Sequence, residues 1–237
     1  MNGRGEGKRL LPVCVFFLLA QPVARAAEIT FCPIPGARVG ANVESLLERR
    51  WKHVSRQSLD VSCGSAALAT ILQYQFGDQV TEEALIRAIL KQVSQKDVSA
   101  RGGFTLLDLK RAAIELGYTV HGYKLTFERL AELNSPALVP ITVRGFKHFV
   151  VFRGVIGDRV VLADPAFGNL LVPDFLFESI WKDIALVITK DGKSQAPGAA
   201  HLTIAETDAY TVAETPEALR SFLQQNQFMI EVDPNEF

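Results

Sequence analysis

The order of periodicities along the chain predicts an α+β fold, with helices first and an antiparallel sheet after them. Apolar residues recur at helical spacing in three segments between Cys63 and Leu116. From Thr119 onward, short runs of β-branched and apolar residues follow, and a tight Gly157-Asp158 link between two of them is typical of a β-hairpin. Because the helices precede the strands and do not alternate with them, an antiparallel sheet is favoured over a parallel one.

Three helices are predicted from the residues at their ends. The first runs from about Cys63 to Gln75, and Gly77 ends it. Thr81 is an N-cap followed by two acids, which opens a second helix with an apolar stripe. Thr105 opens a third helix through a capping-box pattern with Asp108.

The second half of the chain is predicted to form the sheet. Its apolar, β-branched runs give strands over residues 119–124, 138–143, 149–152, 159–163 and 185–189, with a short helix over 126–133. The chain has 237 residues, of which 48% are hydrophobic and 22% charged. This composition is sufficient for one sizeable globular domain with its own core.

The first 26 residues have the pattern of an export signal. A basic segment ending at Arg9 precedes an apolar run over 10–20, and Ala24-Arg25-Ala26 offers a small-x-small cleavage site. The apolar run, about eleven residues long, is short for a membrane span, so a cleaved signal is favoured over an uncleaved inner-membrane anchor. We therefore expect a periplasmic protein with no stable membrane span after cleavage.

The charge of the chain limits its partners, and its composition indicates where the main domain begins and ends. Removal of residues 1–26 takes the formal charge from −1 to about −4, which argues against nucleic acid and anionic membrane surfaces as the main partner. Residues 27–55 are predicted as a lead-in and 56–190 as the main domain. Residues 191–237 have the composition of a linker followed by a polar, acidic tail, and the sequence leaves the packing of that tail open.

One cysteine has the setting of a nucleophile. Cys63 lies where a loop meets the first predicted helix, and the partial positive charge of a helix N-terminus favours thiolate over thiol. Gln57 lies upstream and can direct an amide donor at an oxyanion. His148 lies in a strand-like run, and Asp164 ends another. A nucleophile, a base and an orienting carboxylate in this order predict a cysteine hydrolase.

The same residues resemble those of the C39 peptidases, a papain-like family known for trimming double-glycine leaders from bacteriocin precursors. The resemblance covers roughly residues 56–189 and rests on Gln57, Ser62-Cys63-Gly64, the segment 103–118, His148-Phe149-Val150-Val151 and Ala163-Asp164-Pro165. It implies a papain-like fold, with helices packed on an antiparallel sheet. It also implies Cys63 as nucleophile, His148 as general base, Asp164 as the group that orients His148, and Gln57 as oxyanion donor.

One departure from the family pattern concerns the residues before the cysteine. Many members have Asp-Cys-Gly, whereas this chain has Asp60-Val-Ser-Cys63-Gly64, which leaves the role of Asp60 open. Export argues against a cytoplasmic precursor as substrate, and the chain resembles stand-alone exported C39-like proteins that accompany functional-amyloid (Fap-type) export systems. The expected partner is an exported protein or a component of the export apparatus, and a double-glycine-like bond is one candidate cleavage site.

Alternative interpretations stay open from sequence alone. Cys32 and Cys63 are the cysteines left after signal removal, and a disulfide between them would consume the nucleophile. We favour a free Cys63, because a bridge would explain neither Gln57 nor His148. The alternative functions are a non-catalytic C39-like module that binds a secretion substrate, or a papain-like amidase or acyltransferase that acts on cell-wall peptide. The histidines have no metal-type spacing, and the sequence holds no phosphate-binding glycine loop, so no cofactor is expected.

Overall fold

The computed structural model describes residues 27–31, 39–43, 45–133, 135–193, 202 and 204. The chain divides into two compact units between Val43 and Glu44. The first contains an antiparallel hairpin of β1 (Ala27–Phe31) and β2 (Val39–Val43). The predicted export signal and Cys32 lie outside the described residues. Within the described ranges, no helix combines the length and apolar character needed to cross a membrane.

Helices dominate the first half of the second unit, as the sequence predicts. The helices described in the whole of this unit are α1 (Leu46–Trp51), α2 (Cys63–Phe76), α3 (Glu82–Leu90), α4 (Gln95–Arg101), α5 (Leu106–Glu115), α6 (Phe127–Ala131) and α7 (Asp174–Ile180). The predicted end signals are present. Thr81 accepts a hydrogen bond from the third residue of α3, and Thr105 and Asp108 form a capping box on α5. Gly77 ends α2 in the left-handed conformation, with a φ of 75°.

The strands of the second unit form one antiparallel sheet. They are β3 (Thr119–Lys124), β4 (Ala137–Val143), β5 (Phe146–Ile156), β6 (Arg159–Asp164), β7 (Gly168–Pro173) and β8 (Ile184–Thr189), in the order β3-β8-β4-β5-β6-β7. The Gly157-Asp158 link joins β5 to β6, which confirms the predicted hairpin. The predicted α+β class, with helices packed on an antiparallel sheet, is therefore confirmed.

Helices α4 and α7 and strands β2 and β7 are not among the sequence-based predictions. Helix α4 is polar and buries only Val98, so no apolar stripe marks it. Strand β7 begins at Gly168 with a φ of 83°, and its first residues, Gly168 and Asn169, disfavour strands on their own. Pairing with β6, in register from Asp164↔Gly168 to Arg159↔Pro173, stabilises a strand that the local sequence does not favour.

Helix α2 lies at the centre of the domain, packed against α3 and α5 and against one face of the sheet. Most of its residues are buried, including Ala66, Ala67 and Ala69, and these small side chains allow close packing. Gly64 shows how close this packing is. A Cβ at this position would lie 2.8 Å from Leu109 Cδ1 on α5 and 3.1 Å from Phe149 Cδ2 on β5. A second cluster, centred on Phe152 and Phe177, fills the space under α6 and α7.

Residues on either side of the predicted main domain also pack on it. Helix α1, which the sequence analysis assigns to the lead-in, belongs to the second unit, and Arg50 Nε donates to Phe167 O at 2.6 Å. Asn169 Nδ2 donates to Lys52 O at 2.8 Å. From the predicted tail, Leu202 is fully buried in the core that contains α2, and its carbonyl accepts a 2.8 Å hydrogen bond from Arg153 Nε. The sequence of residues 215–224 favours a helix with Pro216 at its first position, but this segment lies outside the described residues.

Candidate active site

Cys63 is the first residue of α2 and carries a free, buried thiol. Ser62 stands at the N-cap position, but its hydroxyl donates to Leu59 O at 2.7 Å and accepts from Leu59 N–H at 3.1 Å. No side chain of the described residues therefore caps the start of α2. The positive end of the helix dipole and its first N–H groups are left for a negative charge at or near the Cys63 sulfur.

His148 lies on β5 and is held by Asp164 at the end of β6. Its Nε2 lies 3.0 Å from each of the two Asp164 carboxylate oxygens. Asp164 is fully buried, and its Oδ1 also accepts from the backbone N–H groups of Ala166 at 2.7 Å and Phe167 at 3.2 Å. These hydrogen bonds hold the Asp164 carboxylate in place, and the carboxylate in turn orients the His148 ring. With Nε2 occupied, Nδ1 is the ring nitrogen left to face Cys63.

The electrostatics of the pair favour a charged imidazole. Burial of His148, whose side chain is 19% exposed, opposes the charge, but the carboxylate of Asp164 outweighs this through its charge and its hydrogen bond. A hydrogen bond with the Cys63 sulfur acts in the same direction. Together they raise the pKa of His148 from 6.5 to about 10. His148 is therefore an imidazolium at neutral pH, suited to stabilise a thiolate beside it.

Gln57 is attached to the same turn that holds Asp164. Its backbone N–H donates to Pro165 O at 2.9 Å, and its side-chain Nε2 donates to Leu59 O at 3.2 Å. The Nε2 group has a second N–H that this bond leaves available. Its Oε1 is buried and makes no hydrogen bond with the described residues. The structure thus brings His148 and Asp164 into direct contact and places the Cys63 sulfur where it interacts with His148, whereas Gln57 is connected to Asp164 through the backbone of Pro165.

A cavity of about 650 Å³ adjoins Cys63. Its walls are largely apolar and come from the α4–α5 turn, β4 and β5 and the residues around them, including Val61, Phe104, Leu106, Ile141, Phe149 and Ile184. Cations also line it, among them Lys147 and Lys182, which are exposed. His148 and Gln57 are not among its lining residues, so the cavity adjoins the nucleophile without enclosing the base.

This cavity cannot be predicted from the sequence, because the residues that line it come from separate segments of the chain. One local signal is present in the sequence, the pair Gly102-Gly103. The pair forms the turn before α5, with φ values of 72° and 134°. A Cβ at Gly103 would lie 3.2 Å from Val61 O, so a glycine here lets the turn approach the loop before Cys63.

Two of the remaining histidines, His53 and His121, pack against tyrosine rings. The His53 ring packs on Tyr74 at a centroid distance of 5.3 Å, and His121 lies 6.1 Å from the Tyr123 ring on β3. His201 lies outside the described residues. Asp60, whose role the sequence analysis leaves open, is exposed.

Comparison with known proteins shows which family this chain belongs to. The model of the Peptidase C39 family matches residues 51–193. A probable functional amyloid protease, FapD, from Pseudomonas fluorescens is 35% identical over 189 residues, which is 79% of this chain and 83% of the relative. The protein of the same name from Pseudomonas aeruginosa is also 35% identical, over 176 residues, covering 74% of this chain and 77% of the relative.

The fold is also found in a solved structure. The peptidase domain of Streptococcus ComA, a bifunctional ABC transporter of a quorum-sensing pathway, superposes with a TM-score of 0.51 and 20% identity. The superposition covers 58% of this chain and 98% of that domain. The family model matches more than half of the chain, and the Pseudomonas relatives are similar over most of their length. This chain therefore belongs to the Peptidase C39 family.

Proposed function

We propose that the protein is an exported cysteine peptidase in which Cys63 is the nucleophile, His148 the general acid–base, Asp164 the orienting carboxylate and Gln57 an oxyanion donor. One observation carries this assignment. His148 is bound at 3.0 Å to both oxygens of the fully buried Asp164 and interacts with the sulfur of Cys63 at the uncapped start of α2. Membership of a peptidase family supports the reaction type.

In the proposed reaction, the Cys63 thiolate attacks the carbonyl carbon of a peptide bond and forms a tetrahedral intermediate. The Cys63 backbone N–H and the free N–H of Gln57 Nε2 stabilise its oxyanion. The His148 imidazolium gives its proton to the leaving amine, which leaves a thioester on Cys63 and a neutral imidazole. His148 then takes a proton from water, the resulting hydroxide equivalent cleaves the thioester, and the acid product leaves as the ion pair is restored.

The proposed substrate is an exported protein or a component of an export apparatus, met in the periplasm. The export signal predicted for residues 1–26 supports the location. The name of the Pseudomonas relatives, probable functional amyloid protease, supports a pathway of functional-amyloid secretion. The apolar cavity beside Cys63 favours a peptide with apolar side chains next to the cleaved bond, and a double-glycine-like bond is one candidate.

The first experiment measures alkylation of Cys63 by iodoacetamide in the reduced protein lacking residues 1–26, between pH 5 and 10. Peptide-level mass spectrometry separates Cys63 from Cys32. We expect fast alkylation near neutral pH in the wild type and slow alkylation in His148→Ala, with the exposed His121→Ala as control. Slow alkylation that does not depend on His148 would contradict the proposal and favour a non-catalytic binding module.

The second experiment tests the reaction on peptides. A peptide library made from secreted proteins is incubated with the wild type and with Cys63→Ala, and new termini are identified by mass spectrometry. Cleavage that requires Cys63 supports a peptidase. Release from labelled cell-wall fragments without cleavage in the library would instead support an amidase, and would contradict the proposed substrate class.

A further inference from the structure

Glu82, the first residue of α3, is a buried carboxylate that the proposed reaction does not use. It is 6% exposed, and within the described part of the chain its side-chain hydrogen bonds go to one residue, Ser58. The two carboxylate oxygens accept from Ser58 N–H at 3.2 and 3.0 Å, and one of them accepts from Ser58 Oγ at 2.6 Å. A buried carboxylate contributes little net stability, because desolvation offsets its hydrogen bonds. Its position next to one loop residue therefore suggests another role.

Ser58 directly follows Gln57, so the bonds to Glu82 fix the backbone on one side of the proposed oxyanion donor. The bond from Gln57 N–H to Pro165 O fixes the other side. Further along, Leu59 O accepts from both Gln57 Nε2 and Ser62 Oγ, and this closes the loop onto the start of α2. Among these hydrogen bonds, those of Glu82 connect the loop before α2 to another helix, α3.

We propose that Glu82 is a positioning residue for the oxyanion site: by holding Ser58, it fixes Gln57 Nε2 relative to the N–H of Cys63. The inference rests on the proposed role of Gln57. An oxyanion donor is effective only when it is held in place before the reaction, and a displacement of about 1 Å removes much of its contribution.

The chemistry of the contact favours a carboxylate. Glu82 Oε2 accepts from both Ser58 donors, N–H and O–H, and Oε1 accepts a second, longer bond from the same N–H. In Glu82→Gln, the negative charge is lost and an NH₂ group, which can only donate, takes the place of Oε1 opposite the Ser58 N–H, so the remaining bonds weaken and the loop shifts. The neighbouring Glu83 is a matched control, because it lies in the same first turn of α3 but is exposed.

The test compares two reactions of Cys63 that differ in their need for an oxyanion site. Alkylation by iodoacetamide requires the thiolate but forms no tetrahedral intermediate. Acylation by p-nitrophenyl acetate requires the thiolate and also passes through an oxyanion. We expect Glu82→Gln to leave the alkylation rate within about twofold of wild type and to slow acylation at least about tenfold. Glu83→Gln should change neither rate.

A double-mutant cycle with Gln57→Ala completes the test. We expect Gln57→Ala to slow acylation by roughly 10²–10³ and the double variant to be no slower than Gln57→Ala, because the two residues act through one interaction. Equal losses in both reactions, multiplicative losses in the double variant, or no effect of Glu82→Gln would overturn the proposal. If Gln57→Ala leaves acylation unchanged, the proposed role of Gln57 falls as well.

Ser58→Ala serves as a second variant that keeps Glu82 and the Ser58 N–H. It removes only the 2.6 Å hydroxyl bond. We expect a smaller but still selective loss of acylation, with circular dichroism unchanged, and an unselective loss would count against the proposal. If Glu82→Gln does not fold, this variant and its cycle with Gln57→Ala decide the question.

Discussion

The charge of His148 depends on Asp164, and Asp164→Asn removes that charge while keeping the size of the side chain. In the wild type, the pKa of His148 is raised from 6.5 to about 10 by Asp164, against the opposing effect of burial. A pKa increase of this size corresponds to about 5 kcal/mol in favour of the imidazolium. An asparagine can still accept from Ala166 N–H through Oδ1, so the turn keeps that bond. The variant therefore removes the charge and one of the two acceptor oxygens that face His148, while it keeps the bond that fixes the turn.

We expect the titration midpoint of the His148 ring to fall by at least about 2 pH units in Asp164→Asn, because the carboxylate no longer stabilises the protonated form. NMR of the imidazole resonances measures this directly. The chain has four histidines, so comparison with His148→Ala assigns the signal. Asp158→Asn, which removes an exposed carboxylate, is the control and should not move the midpoint.

The same shift has consequences for activity and stability. The folded-state pKa of His148 lies above the ordinary value, so its ion pair stabilises the folded protein fully below pH 6.5, and this contribution is lost as pH rises to about 10. Acylation of Cys63 by amides should have an alkaline limit near pH 10 that moves down in Asp164→Asn. A wild-type midpoint near 6.5, or a midpoint that does not move in the variant, would refute the reasoning.

Three further changes test the site and its support. Cys63→Ser should abolish ester and peptide hydrolysis, because a serine hydroxyl is not ionised at neutral pH, while circular dichroism stays unchanged; normal turnover would exclude Cys63 as the nucleophile. Gly64→Ala should lower the free energy of unfolding by about 1–3 kcal/mol in urea and slow alkylation of Cys63, since its Cβ would lie 2.8 Å from Leu109; unchanged values would contradict the packing. Leu202→Ala should lower the free energy of unfolding by about 2–5 kcal/mol in the same assay, whereas Leu47→Ala, at an exposed position, should leave it nearly unchanged. Equal effects of the two substitutions would refute the burial of Leu202.

The residues that mark helix ends made the helical half of the fold predictable. Thr81, Thr105 and Gly77 act through bonds to their close neighbours in sequence, so the sequence alone contains the relevant interactions. Strand β7 follows β6 closely in the chain, but its first residues disfavour a strand, and its pairing with β6 stabilises it. The position of Leu202 depends on Arg153, which lies far from it in the sequence, and no local pattern indicates that contact.

The residues of the candidate site also differ in whether the sequence alone identifies them. Cys63 could be identified from its position before a helix, and His148 and Asp164 from their places in strands and from the family resemblance. The cavity walls could not be predicted, because Phe104 and Ile141 approach Cys63 only in the folded chain. The same holds for Glu82, which in sequence is simply an acid in the first turn of a helix.

The small residues of α2 link the fold to the chemistry. Cys63 and His148 lie on different elements, α2 and β5, so their contact depends on how closely the helix approaches the sheet. Gly64 follows the nucleophile, and a Cβ there would lie 3.1 Å from Phe149 on β5, closer than an ordinary van der Waals contact. Larger side chains there would push the start of α2 away from the strand and separate the sulfur from the imidazole. The run of glycine, serine and alanine after Cys63 is therefore a condition for the thiolate–imidazolium pair as well as for packing.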